Sequence, residues 1–180
     1  GYVEQLYTFG DQGRDLPQAD LGGAPRDARL ISVGYLALTP ERTDTSAFDA
    51  VWRDWSRHYP WEDHRYGRPD AIDSHIAPAL AWWADAGGSA SLARLDRARI
   101  AFGLDGRPWS EERVLERYEL LYEAGLAPEA HRDRGSRGFV CAPPPASIIG
   151  EPMVSDHRRI LATAIGRLRG KIKYRPVVFD

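Results

Sequence analysis

Five residues near the start of the chain are of types that hold a nucleotide. Tyr7 and Phe9 stand two apart in an extended run, so a strand would carry both rings on one side. Rings placed this way can stack on an adenine or a ribose edge. Arg14 offers a planar fork of donors that matches a pyrophosphate, and Asp11 and Asp15 can accept from ribose hydroxyls. The same residues also admit a structural use, with Tyr7 and Phe9 in a core and Arg14 paired with Asp15 across a turn. A second set closes the chain: Arg167, Arg169, Lys171, Lys173 and Arg175. These are candidate phosphate contacts, which position a protein on DNA without reading its sequence. A solvated helix face is the alternative for a run of charge.

Other chemistry is thinly represented. The histidines (His58, His64, His75, His131 and His157) lack metal-motif spacing, and HExxH is absent. His58, Glu62, Asp63 and His64 are close enough in sequence to ligate a metal, yet they read better as a polar surface loop. Cys141 has no activating pattern beside it. No Walker-type phosphate loop occurs.

The elements that must position these residues follow from periodicity. Val3 to Phe9, rich in β-branched and aromatic residues, predicts a strand. Arg29 to Thr39 predicts a second, apolar enough to suggest burial on both faces. Caps at Thr43 to Ser46 and the spacing of Phe48, Val51, Trp52 and Trp55 predict a helix running towards Pro60. Trp61 to Pro69 reads as an irregular loop. A helix is expected over Asp70 to Ala86, kinked or starting late because of Pro78. Ser91 to Phe102 is ambiguous between a short helix and a strand-like end. Glu111 to Ala124 predicts a helix with Val114, Leu115, Tyr118, Leu121 and Tyr122 as its buried stripe, ended by Gly125. Arg132 to Arg137 reads as a charged loop and Pro143 to Pro145 as a stiff connector. From Asp156 an amphipathic helix carries Ile160, Leu161, Ala164, Ile165 and Leu168 on one face.

Composition bounds the answer further. The chain has 180 residues, 43% of them apolar and 28% charged, the balance of a soluble globular protein. No apolar run approaches the roughly 18–20 residues that span a bilayer, and a cytoplasmic location is expected, with no membrane partner. A single cysteine excludes an internal disulfide framework. The net charge of −2 hides an asymmetry: residues 1–150 hold 17 Lys and Arg against 23 Asp and Glu, and residues 151–180 hold 7 against 3. A basic end on an acidic body suggests a polyanion contact confined to that end.

Four motifs, in their order along the chain, carry a family likeness. QLYTFGDQGRD (Gln5 to Asp15) followed by RLISVGYLAL (Arg29 to Leu38) resembles the strand pair that follows the Nudix box in proteins related to ADP-ribose pyrophosphatases. DHRRILATAIGRLRGKIKYRPVVFD (Asp156 to Asp180) resembles the linker and first helix of the winged-helix domain in Nudix-related transcriptional regulators of NAD metabolism, the NrtR/NadQ group. PWEDHRYGRP (Pro60 to Pro69) and RYELLYEAGL (Arg117 to Leu126) are similar to a variant found among proteobacterial NAD regulators.

The resemblance implies an α/β (α+β) fold. Residues 1–150 would be the later part of a Nudix-like α/β/α sandwich, with a helical insertion over about 45–136. Residues 151–180 would begin a winged helix-turn-helix domain. Both ends are expected to be cut, since no methionine opens the chain and the segments for the Nudix box and the recognition helix are missing. The apolar stripe of the last helix should then pack back on the body or remain loosely held. The implied function is a transcriptional regulator that senses an ADP-ribose- or NAD-like effector through Tyr7, Phe9, Asp11, Arg14 and Asp15. It would bind operator DNA of NAD genes as a homodimer, with Arg167, Arg169, Lys171, Lys173 and Arg175 on phosphates.

Nudix hydrolysis needs several glutamates on one helix to hold Mg²⁺ against a pyrophosphate. The nearest match here is Glu119 to Leu126, where Tyr122 replaces one carboxylate, Tyr118 the arginine, and Ser110 the upstream glutamate. Three mismatches in a metal cage make this helix a packing element. No cofactor is expected in this chain, and Mg²⁺ only if an intact Nudix box lies upstream. An active Nudix hydrolase is the rival reading, and a protein-interaction domain built on the tryptophan-rich middle is a third.

Overall fold

A computed structural model describes residues 2–9, 31–42, 44–45, 47, 51–134, 149–154 and 157–174. The architecture is α+β, and the chain divides into two compact units, Gly1–Thr43 and Asp44–Asp180.

In the first unit, strands β1 (Tyr2–Phe9) and β2 (Ser32–Leu38) pair antiparallel. The register runs from Tyr2 opposite Leu38 to Gln5 opposite Tyr35, then skips one residue so that Tyr7 faces Gly34. The extra residue, Leu6, is buried. A bulge of this kind re-aims the side chains beyond it. The expectation that the second strand is buried on both faces fails. Val33 is 47% exposed and Tyr35 63%, and among the described residues β2 pairs with β1 alone. An apolar run records a taste for extended backbone, and here that taste is not matched by cover.

In the second unit, α1 (Ala77–Asp85), α2 (Ser91–Phe102), α3 (Val114–Ala124), α4 (Pro128–Arg134) and α5 (His157–Tyr174) surround one core. Pro78 acts on α1 as expected, through a widened turn. Pro78 has no N–H, and its ring would meet the carbonyl four residues back. The preceding turn, Ile72–Ile76, is a π-helix in which the Ala77 N–H reaches Ile72 O.

Ser91 to Phe102 is helical throughout, ended by Gly103 in the left-handed region at φ 57°. Its sequence is ambiguous because it buries mainly Ala98, Ala101 and Phe102, a weak apolar stripe. The helix expected before Pro60 is not found in its described part. Residues 51–54 are irregular, Val51 is 73% exposed, and Trp55–Arg57 forms a single 3-10 turn capped by Asp54. The charged loop expected from Arg132 begins inside α4, which runs to Arg134. Residues 135–148, with Cys141 and the triple proline, lie outside the described residues.

The core gathers around α3. Tyr118 and Leu121 are buried on it beside Tyr59, Trp61, Leu80 and Phe102. Side chains of this size contribute about 1.5–3 kcal/mol each when fully covered. The last helix packs back on the body: α5 lies along α3, with Ala162 and Ile165 buried and Leu161 half-buried against the core.

Candidate functional site

The most closely packed chemistry in the second unit is a buried set of ion pairs joining α5 to the body. Pro60 starts a 3-10 turn, Pro60–Glu62, where a missing N–H costs nothing. That turn puts Trp61 and Glu62 inside the protein, at 0% and 1% exposure. The Glu62 carboxylate accepts from Arg117 Nε at 2.5 Å and Nη2 at 2.9 Å, and from Arg169 Nη1 at 2.5 Å. Arg117 Nη1 also donates to Ala101 O at 3.0 Å and Ser110 O at 2.8 Å, so one guanidinium closes the end of α2 as well. Its plane lies over the Trp109 ring, 3.8 Å from the centroid. Burial pulls the Arg117 guanidinium below its ordinary value, and Glu62 opposes that pull. Guanidinium is so weak an acid that it stays charged.

A second pair fixes the start of α5. Arg158 Nη1 donates to both Glu129 oxygens, at 3.2 and 2.9 Å, and its Nη2 donates to His58 O. Tyr59 Oη donates to the Arg158 carbonyl at 2.5 Å. Rings of Tyr59, Trp61 and Tyr118 lie 5.2, 5.6 and 5.7 Å from this guanidinium, a spacing at which aromatic faces attract a cation. Burial pushes the Tyr59 and Tyr118 phenols far above their ordinary value, so both stay protonated. Gly150 permits the crossing of chain here. Its φ is +80°, and a Cβ on it would sit 2.5 Å from His58 O. Gly150→Ala is therefore expected to lose about 2–3 kcal/mol of stability, read as a lower midpoint in urea unfolding.

The residues expected to touch phosphate divide between two faces of α5. Arg167 and Lys171 border a groove of about 600 Å³ with Gly166, Gly170 and Tyr174. Arg169 and Lys173, four residues apart, border a different cleft and carry ion pairs, Arg169 to Glu62 and Lys173 to Glu112 at 3.8 Å. Arg175 lies outside the described residues. Of the residues expected to hold an effector, Tyr7 is on β1 and 63% exposed, and Phe9 is the last residue of that strand. Asp11, Arg14 and Asp15 lie outside the described residues.

Three of the four loop residues that could have ligated a metal are engaged elsewhere. Glu62 faces two arginines, Asp63 pairs with Arg65 at 2.7 Å, and His58 Nδ1 meets Glu151 O at 3.1 Å. The His64 ring lies 4.4 Å from Trp109, and burial holds its imidazole below the ordinary value. On α3, Glu119 pairs with Arg159 at 2.7 Å and Glu123 with Arg97 at 2.8 Å. Among the described residues no group of three or more His, Cys, Asp or Glu is arranged to hold a metal, and no helix is long and apolar enough to cross a membrane.

No family model matches this chain, and no curated protein does. Sequence reasoning missed the Glu62–Arg117–Arg169 and Glu129–Arg158 sets. One signal was present: Arg117 falls three residues after Val114 and four before Leu121, on the buried stripe of its helix. A charge in that position demands a buried partner.

Proposed function

We propose that this protein is a transcriptional regulator of NAD metabolism. In this reading residues 1–150 belong to a non-catalytic Nudix-like sensor with a helical insertion, and residues 151–180 open a winged-helix DNA-binding domain. The regulator is a cytoplasmic homodimer that shifts between arrangements of unequal affinity for DNA when an ADP-ribose-like metabolite binds. The reading rests on the order of the four motifs along one chain, and one observation carries it furthest. The segment DHRRILATAIGRLRGKIKY falls almost entirely on a single helix, α5, which is clamped to the body at Arg158 and Arg169 and carries Arg167 and Lys171 on another face. A linker helix fastened in this way would carry a change in the sensor to whatever follows it.

Tyr7, Phe9, Asp11, Arg14 and Asp15 are the proposed effector contacts. Titration calorimetry on the full-length protein with ADP-ribose, NAD and nicotinamide mononucleotide tests this, and binding of none of them would overturn it. For DNA, alanine at Arg167, Lys171 and Lys173 should flatten the salt dependence of operator affinity, by about 0.9 in log–log slope for each phosphate that is no longer neutralised. An unchanged slope would remove α5 from the DNA-contacting surface.

A further inference from the structure

We propose that the cleft of about 460 Å³ between Trp55, His64, Trp109 and the last turns of α5 binds a small planar anion, an aromatic ring bearing one carboxylate or phosphate. The volume lies within the range of about 300–1,000 Å³ usual for small-molecule sites. Its walls are largely apolar and include Trp55, Trp109 and Ile172, surfaces on which a ring stacks.

The charge on its floor is what selects the anion. Arg169, which lines the cleft, shares the single carboxylate of Glu62 with Arg117, which does not line it, so among the described residues the three side chains carry one positive charge more than they have carboxylates. Arg169 also donates to the carbonyl oxygens of Glu62 and Glu111. Other charges at the cleft are paired: Arg65 with Asp63 at 2.7 Å, and Lys173 with Glu112 at 3.8 Å. The longer of those contacts joins side chains about half exposed, and Lys173 can exchange it for a ligand oxygen at little cost. Glu111 stands exposed at the rim and opposes an anion from there. Below the usual imidazole range, His64 adds an uncharged, ring-shaped wall at neutral pH. This site belongs to the second unit, whereas the effector residues proposed above belong to the first, so the two assignments stand or fall separately.

The test is titration calorimetry on the full chain with adenosine monophosphate against adenosine, and with benzoate against benzamide. Either anion should bind about tenfold or more tighter than its neutral counterpart. Lys173→Gln should weaken that binding several-fold and Glu111→Gln should tighten it. Both are exposed positions, and circular dichroism establishes that each variant is folded. Tyr7→Ala should leave the affinity unchanged. Equal binding of anion and neutral ring, or no binding of either anion at millimolar concentration, overturns the proposal. So does an affinity that responds to Tyr7→Ala and not to Lys173→Gln, which would place the ligand in the first unit.

Discussion

Replacing Glu62 by glutamine is expected to destabilise the second unit by about 3–5 kcal/mol, the loss typical of a buried ion pair stripped of one partner. Glutamine is nearly the same shape, so little packing changes. What changes is charge: Arg117 at 0% exposure and Arg169 at 19% would face each other across a neutral amide. Like charges would then repel in a medium that screens poorly. Against a total stability of about 5–15 kcal/mol, the loss should lower the melting temperature by on the order of 10 °C. The double variant Glu62→Leu with Arg117→Met should recover much of it, because an apolar pair of similar volume removes both desolvation costs. Arg169 can lift its head to solvent on its own stem. Urea unfolding of the three proteins decides the matter, and a loss under about 1 kcal/mol for Glu62→Gln would mean that the carboxylate is hydrated and the pairing incidental.

The second large effect belongs to Arg158→Met. Methionine fills much of the arginine stem's volume but leaves Glu129, 1% exposed, with the Met153 N–H at 2.7 Å as its remaining donor in this set. An unpaired buried carboxylate costs about 3–5 kcal/mol, and the site also loses a cation held among three aromatic rings. The variant should separate local from global effects. Amide exchange in the first turns of α5 should quicken more than exchange in the middle of α3, because the anchor is removed and the core beneath is not. Uniform acceleration across both helices would show instead that α5 has no opening of its own. Glu129→Gln gives the complementary case, a buried guanidinium that keeps the His58 carbonyl as a partner, and its loss should be smaller than that of Arg158→Met.

These two pairs also mark where the sequence is readable and where it is not. Elements with strong local signals are legible: β1 from its aromatic and β-branched run, α3 from its apolar spacing and Gly125, and the disturbance at Pro78; within α3 the expected stripe is corrected at Leu115, which is exposed, while Leu120 is buried. Elements with weak stripes are not. α2 buries two alanines and Phe102 at its end, and the aromatic spacing around Trp52 is helical although the described backbone from 51 to 54 is not. For the site the difficulty lies in distance along the chain. Arg169 and its carboxylate are separated by 107 positions, and Arg158 and the carbonyl it caps by 100. Read locally, Arg158, Arg159 and Arg169 look like the solvated side of a basic helix. Only the fold brings Glu129, Glu119 and Glu62 to them. Arg167 fits the local reading, being exposed on α5.

The two anchors of α5 have a mechanical consequence. Arg158 and Arg169 are eleven positions apart, roughly 16 Å along a helix axis, and each grips a different part of the body. A rod held at one point can pivot; held at two, it can neither spin nor slide without releasing both. Any twist or axial slip of α5 therefore breaks two buried pairs together, and the helix should behave as a shaft with discrete settings. Small disturbances at one end would leave it in place. A disturbance large enough to free both grips would turn the whole length at once.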